Sequence, residues 1–220
     1  MAERALDPER RIALQQLPPA VRPAFAALWS LDLALADVVA TSSDPRLGAI
    51  RLAWWRERLE ELDRGKPPPA EPRLRAAAAE LIPRGITGKA LSELEDAWLP
   101  LLGPFPWGDD VAEGLKLRGR ILFGIGARLL GAEPQQAEAA GSLWSLADAV
   151  QHCSDDQSRD FLLDEARKSL GRSPRKLPRQ VRPLTVVAAL AAIDVVREGS
   201  GLTRLSAALR HRLLGTLPRG

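Results

Sequence analysis

Three side chains in the sequence have the types and the spacing of a metal site. Asp148, His152 and Asp156 stand at positions i, i+4 and i+8, so a helix that runs through all three places them on one face. Imidazole prefers softer ions than magnesium, and the row therefore predicts a transition-metal site. In the alternative interpretation His152 and Asp156 simply end and flank a helix, while Asp155 and Asp156 cap the next one. The sequence leaves both interpretations open.

Arg51 and Arg56 are the candidate anion-binding residues, and they flank the adjacent tryptophans Trp54 and Trp55. The tryptophans are predicted to anchor helix packing, because large aromatic side chains dominate core energetics. Ion pairing is the alternative for the two arginines, and the acids within reach are Asp44, Glu57 and Glu60.

Two further side chains could carry chemistry by type alone. Cys153 is the single cysteine, which excludes an internal disulfide and fits a reducing compartment. No histidine stands in a nucleophilic arrangement with it, so a buried or neutral thiol is predicted. His211 is predicted to be exposed and without a role.

The elements that must position these residues are helices. Apolar residues recur at helical spacing nearly everywhere, and no segment alternates with period two for long. Gly119, Gly124 and Gly126 lower helix propensity, which predicts a close approach of helices or an open cavity around them. Proline and glycine divide the chain, and the predicted helices span residues 8–17, 19–41, 45–63, 71–82, 87–102, 109–130, 134–152, 158–170, 181–198 and 202–214.

Composition excludes several function classes. The formal net charge of +3 is too small to predict a nucleic-acid partner. The charged N-terminus lacks the apolar region of a signal peptide, and no uninterrupted apolar run approaches the ~18 residues that span a bilayer. The longest run, residues 184–196, contains Thr185 and Asp194. We expect a bacterial cytoplasmic protein, with peripheral contact at the inner membrane as the alternative.

Positive charge and a helix with leucines on one face are found towards the C-terminus. The basic segment Arg167 to Arg182 is predicted to be a solvated loop or a contact for anionic lipid or a partner. The last predicted helix places four leucines on one face, with arginines around it. It is expected to pack on its own core or to lie on a membrane surface. The leucines are Leu202, Leu205, Leu209 and Leu213, and the arginines are Arg204, Arg210 and Arg212.

Four segments of the chain carry a resemblance to a known family. Phe25–Val39 and Ser43–Arg56 resemble the first two core helices of the squalene/phytoene synthase family, including its Trp-Trp motif. Glu113–Gly131 is similar to the family's central helix, and Ser145–Asp156 is similar to its second motif. The departures resemble those of the non-catalytic branch, which includes a mitochondrial assembly factor for respiratory complex I.

The resemblance implies a lost magnesium site. In the family, an Asp-Asp-x-x-Asp motif on the first helix binds magnesium and a diphosphate, and here the outer positions are Ala36 and Ala40, with Asp37 retained. Leu33 stands where the family has an arginine. The implied central cavity therefore has an apolar wall of Leu33, Ala36 and Ala40, which suits an apolar isoprenoid-like ligand better than a diphosphate.

The resemblance also places the second candidate set in the family's other motif. Asp148, Gln151 and His152 stand at positions where the family has Asn, Arg and Asp, and Asp156 matches its final Asp. In the family, carboxylates from two facing helices hold magnesium ions that neutralise the departing diphosphate.

These observations lead to one expectation and two alternatives. The expected protein is an all-α, single-domain, isoprenoid-synthase-like bundle over residues 1–200, with a basic helix at 201–220 packed on it or peripheral. It is interpreted as a pseudoenzyme that binds a protein partner or an isoprenoid-like lipid, without a cofactor. One alternative is an active prenyl-diphosphate transferase with magnesium in an altered site. The other is a peripheral membrane adaptor.

Overall fold

The computed structural model describes residues 6–196 and 201–219, with side chains from residue 203 in the second segment. Across these ranges the chain is helical apart from turns and one isolated bridge between Lys176 and Thr216, and the prediction of an all-α fold is confirmed. The helices are α1 Pro8–Gln16, α2 Arg22–Ala40, α3 Pro45–Leu62, α4 Pro72–Glu80, α5 Gly88–Ser92, α6 Leu94–Trp98, α7 Asp109–Leu129, α8 Gln135–His152, α9 Asp156–Arg172, α10 Arg182–Val196 and α11 Gly201–Leu214.

The chain divides into two compact units, residues 1–103 and residues 104–220. The first unit contains α1 to α6, and the second contains α7 to α11. Helix α11 packs on α10 within the second unit, which is one of the two placements expected for it. The extent of a single domain over residues 1–200, and the central cavity implied for it, stay predictions.

Three helices of the first unit begin at an acidic residue followed by proline. The carboxylates of Asp7, Asp44 and Glu71 each accept a hydrogen bond from a backbone N–H in the first turn of α1, α3 and α4. The capping oxygen satisfies a donor that has no partner within the helix, and proline in the first turn loses no hydrogen bond. These starts are local, so the predicted beginnings agree with the structure within one residue.

The core of the first unit forms around α2, which packs against α4 and α3. Phe25 and Trp29 are buried on this helix with their ring centroids 5.7 Å apart in an edge-to-face arrangement. Residues Pro19–Ala40 form a segment long and apolar enough to cross a membrane by length and composition, but 61% of its most apolar window is buried within the structure. A core helix of a folded domain passes the same test.

The prediction of one continuous helix over residues 87–102 is wrong. It is divided into α5, α6 and a final 3₁₀ turn, Leu99–Leu102. The Ser92 hydroxyl donates to the Lys89 carbonyl oxygen at 2.8 Å, a local bond that competes with regular helix geometry. Pro100 lies within the 3₁₀ turn and brings no backbone N–H to a continuing helix.

The second unit is built on the contact between α7 and α8. A Cβ atom added at Gly119 would lie 2.1 Å from the Gly141 carbonyl oxygen, and one added at Gly141 would lie 2.2 Å from the Gly119 carbonyl oxygen. The two backbones therefore touch, and the close approach predicted from the glycines of α7 is found at Gly119. At Gly124 the nearest atom would lie 3.4 Å away, at the end of the flexible Glu138 side chain.

Two polar contacts fix α11 on α10. His211 is fully buried, with Nε2 2.9 Å from the Thr185 hydroxyl and Nδ1 3.1 Å from the Thr216 carbonyl oxygen. Arg204 forms a salt bridge with Asp194. The prediction that His211 is exposed is therefore wrong. Thr185 and Asp194, which interrupt the apolar run of α10, are thus two of the residues that hold the last helix.

The basic segment Arg167 to Arg182, predicted as a loop, lies partly in helices and forms hydrogen bonds with residues near the C-terminus. Helix α9 continues to Arg172 and α10 begins at Arg182, whose guanidinium donates to the Leu213 carbonyl oxygen at 2.7 Å. The Leu177 N–H donates to the Gly215 carbonyl oxygen at 2.8 Å, which ties the end of the chain to this segment. The exposed cations of the segment are Arg167 and Lys168, which pair with Asp164 and Glu165, together with Arg172, Arg175, Lys176 and Arg179.

The glycine contact predicts opposite effects for two equivalent substitutions. We expect Gly119→Ala to lower the free energy of unfolding by about 3 kcal/mol or more, since its methyl group meets backbone atoms that cannot yield without separating the helices. Gly124→Ala should be neutral or stabilising by up to ~1 kcal/mol, because alanine improves helix propensity and its methyl group meets Glu138 and Pro134 only at ordinary van der Waals distances. Urea unfolding of both variants checks this. Equal effects at the two positions would contradict the contact.

The burial of His211 predicts a loss of stability in mild acid. Burial lowers the pKa of His211 in the folded state, with Arg182 acting in the same direction and the hydrogen bond to Thr216 opposing. Below pH 6.5 the unfolded chain binds a proton at this site that the folded chain does not bind, so the contribution of His211 to the free energy of unfolding should fall as the pH falls towards its folded-state pKa. The slope contributed by one site is at most ~1.4 kcal/mol per pH unit.

The measurement is urea unfolding of the wild type and of His211→Gln from neutral to mildly acidic pH. The variant should lose this part of the pH dependence, whatever its own stability. His152→Gln is the matched control, because the His152 side chain is 65% exposed and should leave the slope unchanged. A wild-type slope that survives in His211→Gln would show that other groups cause it.

Candidate functional site

The first candidate set lies on the C-terminal half of α2. Leu33 is buried, Ala36 is half-buried and Ala40 is exposed at the last residue of the helix. Asp37, the retained carboxylate, pairs with Arg73 of α4 at 3.2 Å, and both side chains are largely buried. An arginine therefore already neutralises the only carboxylate among these four positions.

Asp32, a carboxylate that was not among the predicted site residues, lies one turn before Ala36 on α2. Asp32 is fully buried, and its Oδ1 accepts a hydrogen bond from the Trp98 indole N–H at 3.1 Å. The buried guanidinium of Arg10 approaches Oδ2 at 3.4 Å. A charge in the protein interior requires such partners, so Asp32 joins α1, α2 and α6 within the first unit. The signal in the sequence was a lone carboxylate between Leu31 and Leu33.

The two candidate anion-binding arginines of α3 have partners within the first unit. Arg51 donates to the hydroxyl oxygens of Thr41 and Ser42, each at 3.2 Å. Arg56 pairs with Glu95 of α6 at 3.3 Å. Ion pairing was one of the two interpretations offered for Arg56, but the partner is distant in sequence. Burial raises the pKa of Glu95, and Arg56 opposes that shift.

The second candidate set begins on α8 at Asp148, which pairs with Arg118 of α7 at 2.9 Å. Arg118 is buried, its guanidinium carbon lies 4.8 Å from the centroid of the Trp144 ring, and it approaches the Ser145 hydroxyl at 3.3 Å. The guanidinium is thus held from several sides. Sequence reasoning missed Arg118, although an arginine next to Gly119 in an apolar helix was visible.

The other two members of the predicted metal row do not join Asp148 on one helix face. Helix α8 ends at His152, Cys153 is extended, and Asp156 is the first residue of α9. Asp155 caps α9 by accepting from the Ser158 backbone N–H, and its hydrogen bonds from Ser158 lower the pKa of Asp155. The predicted row is therefore wrong in its geometry, and Asp155 caps the next helix as in the alternative interpretation.

The contacts of His152 and Asp156, the other two members of the predicted row, are typical of residues at a helix end. The His152 ring Nδ1 lies 2.7 Å from the Asp148 backbone carbonyl oxygen, and its distance to the Asp148 carboxylate is 4.0 Å. The Asp156 side chain is 89% exposed and pairs with Arg159. Among the residues that the structure describes, no three His, Cys, Asp or Glu side chains form a group that could hold a metal ion.

These donors do not fit magnesium. Magnesium prefers several oxygen ligands in octahedral geometry, usually including one or two carboxylates that can point at the ion. Asp148 already pairs with a buried guanidinium, Asp37 with Arg73, and Ala36 and Ala40 supply no ligand.

Comparison with known proteins finds one family model that matches most of the first unit. The squalene/phytoene synthase family model matches residues 4–97, which include α2, the α3 Trp-Trp segment and most of α6. The match ends before Glu113–Gly131 and Ser145–Asp156, so the resemblance of those segments stays a prediction. No curated protein and no solved structure matches the chain. Over residues 4–97, this chain is similar to the squalene/phytoene synthase family.

Proposed function

We propose that this chain is a non-catalytic member of its family that acts by binding a protein partner or an apolar, isoprenoid-like ligand. The observation that carries the proposal is the pair of alanines, Ala36 and Ala40, inside the segment that matches the family model. Diphosphate departure requires divalent ions to neutralise the leaving group, and methyl groups cannot hold them.

The charges near both motif positions support the same proposal. Asp37 and Asp148 each lie against an arginine, which satisfies the carboxylate without a metal ion. A second cation brought to Asp148 would have to displace the buried Arg118 guanidinium, which has no water to receive it. Both carboxylates are therefore used as parts of the folded structure.

An exposed apolar face on α3 supports a binding role. Leu47, Ile50 and Trp54 stand at i, i+3 and i+7, and their side chains are exposed on one side of the helix. Contiguous apolar surface of this kind marks interaction sites more often than isolated exposed residues do.

The direct test is release of diphosphate from farnesyl or geranylgeranyl diphosphate in the presence of magnesium. We expect none above background. Turnover that is lost in Asp37→Asn and retained in Arg73→Gln would overturn the proposal and favour the prenyl transferase. The two variants break the same ion pair, but only the first removes the carboxylate, so their comparison separates chemistry from stability.

A double-mutant cycle tests whether Asp148 serves the fold. We expect Arg118→Met and Asp148→Leu each to lower the free energy of unfolding by about 3 kcal/mol, because each leaves a charge without its partner. The double variant should cost clearly less than the sum of the two. Urea unfolding provides the measurement.

The matched control for this cycle is the exposed pair Arg159–Asp156, whose coupling should not exceed ~1 kcal/mol. A coupling between Arg118 and Asp148 as small as that of the control pair would contradict a structural role for Asp148. Magnesium that raises the melting temperature of the wild type would contradict it as well, since a ligand bound only by the folded state stabilises it.

A further inference from the structure

Helix α11 presents leucines to solvent on the side that faces away from its own unit. Leu205, Leu209 and Leu213 stand four residues apart and are between 54% and 73% exposed. The side chain of Leu202, the fourth predicted member of this face, lies outside the described residues. A helix on the surface of a globular unit normally turns its polar side outward.

The opposite side of α11 is already occupied by α10. Ala207 and His211 are buried there, and Arg204 pairs with Asp194. The leucine face therefore cannot turn inward without breaking the contacts of His211 and Arg204. Its exposure is therefore a consequence of how the helix is attached, and the face is open to a surface outside the unit.

The charges around this face indicate the chemistry of its partner. Helix α11 contains no acidic residue, and Arg210 and Arg212 are exposed beside the leucines. Residues 166–219 contain twelve Lys and Arg against two acids, whereas the rest of the chain contains nineteen against twenty-six. Two copies of such a segment would repel each other, while an anionic surface would attract it.

We propose that α11 binds the surface of an anionic lipid bilayer, with Leu205, Leu209 and Leu213 at the boundary between headgroups and acyl chains. Arg210 and Arg212 then lie at the level of the lipid phosphates. An apolar face with basic residues beside it is the pattern of helices that lie in a membrane interface. This inference goes beyond the proposed function and does not depend on whether the chain releases diphosphate.

The test is flotation of the full chain with vesicles of phosphatidylcholine alone and with vesicles that also contain phosphatidylglycerol. We expect binding to the anionic vesicles, weakening as salt rises, because the Debye length falls from ~10 Å at 0.1 M to ~3 Å at 1 M. Leu209→Gln combined with Leu213→Gln should lower the partition coefficient at least about tenfold, since two apolar side chains no longer enter the interface.

Matched variants keep the proposal falsifiable. Ile12→Gln combined with Leu99→Gln removes two exposed apolar side chains of the first unit and should leave binding to the vesicles unchanged. Arg210→Gln combined with Arg212→Gln should remove the salt dependence in large part. Unchanged melting temperatures show that exposed positions were altered without unfolding.

Three outcomes would overturn the proposal. The first is no binding to anionic vesicles at low salt, and the second is equal binding by wild type and the α11 leucine variant. The third is a dimer in light scattering that dissociates in the leucine variant, which would assign the face to a second copy of the chain.

Discussion

Two helix backbones of the second unit touch at Gly119 and Gly141, and the surrounding arrangement depends on that contact. With no side chain between them, α7 and α8 approach closely enough for Arg118 to reach across to Asp148. The same approach brings Phe123 and Trp144 together, with ring centroids 5.5 Å apart. A wider separation would leave the guanidinium buried without its carboxylate, at a cost of several kcal/mol.

The described carboxylates at the motif positions, Asp37 and Asp148, each form an ion pair with an arginine. Asp37 is paired within the first unit and Asp148 within the second, and each pair links two helices of its own unit. In a metal-dependent site the carboxylates repel one another until the ion arrives, which destabilises the empty protein. Here that strain is absent, because protein cations take the place of the metal's charge. Each carboxylate is thus satisfied within its own unit.

The sequence was sufficient to predict the features that depend on residues close together along the chain. The Asp7, Asp44 and Glu71 caps and the all-α fold follow from local capping and helical periodicity. The predicted metal row failed because two local signals competed, and the cap formed by Asp155 ended the continuity that the row required. The burial of His211 could not be foreseen, since it depends on Thr185 in another helix.

The attachment of α11 has a consequence for how uniquely this unit folds. Helix α10 is almost uniformly apolar, so apolar packing alone would favour a setting of α11 that turns its leucines inward. Thr185 and Asp194 select one setting, because any other would leave buried polar groups without partners. The selected setting is not the one that hides the most hydrocarbon from water. The unit therefore gives up part of its attainable stability to keep one orientation of its last helix.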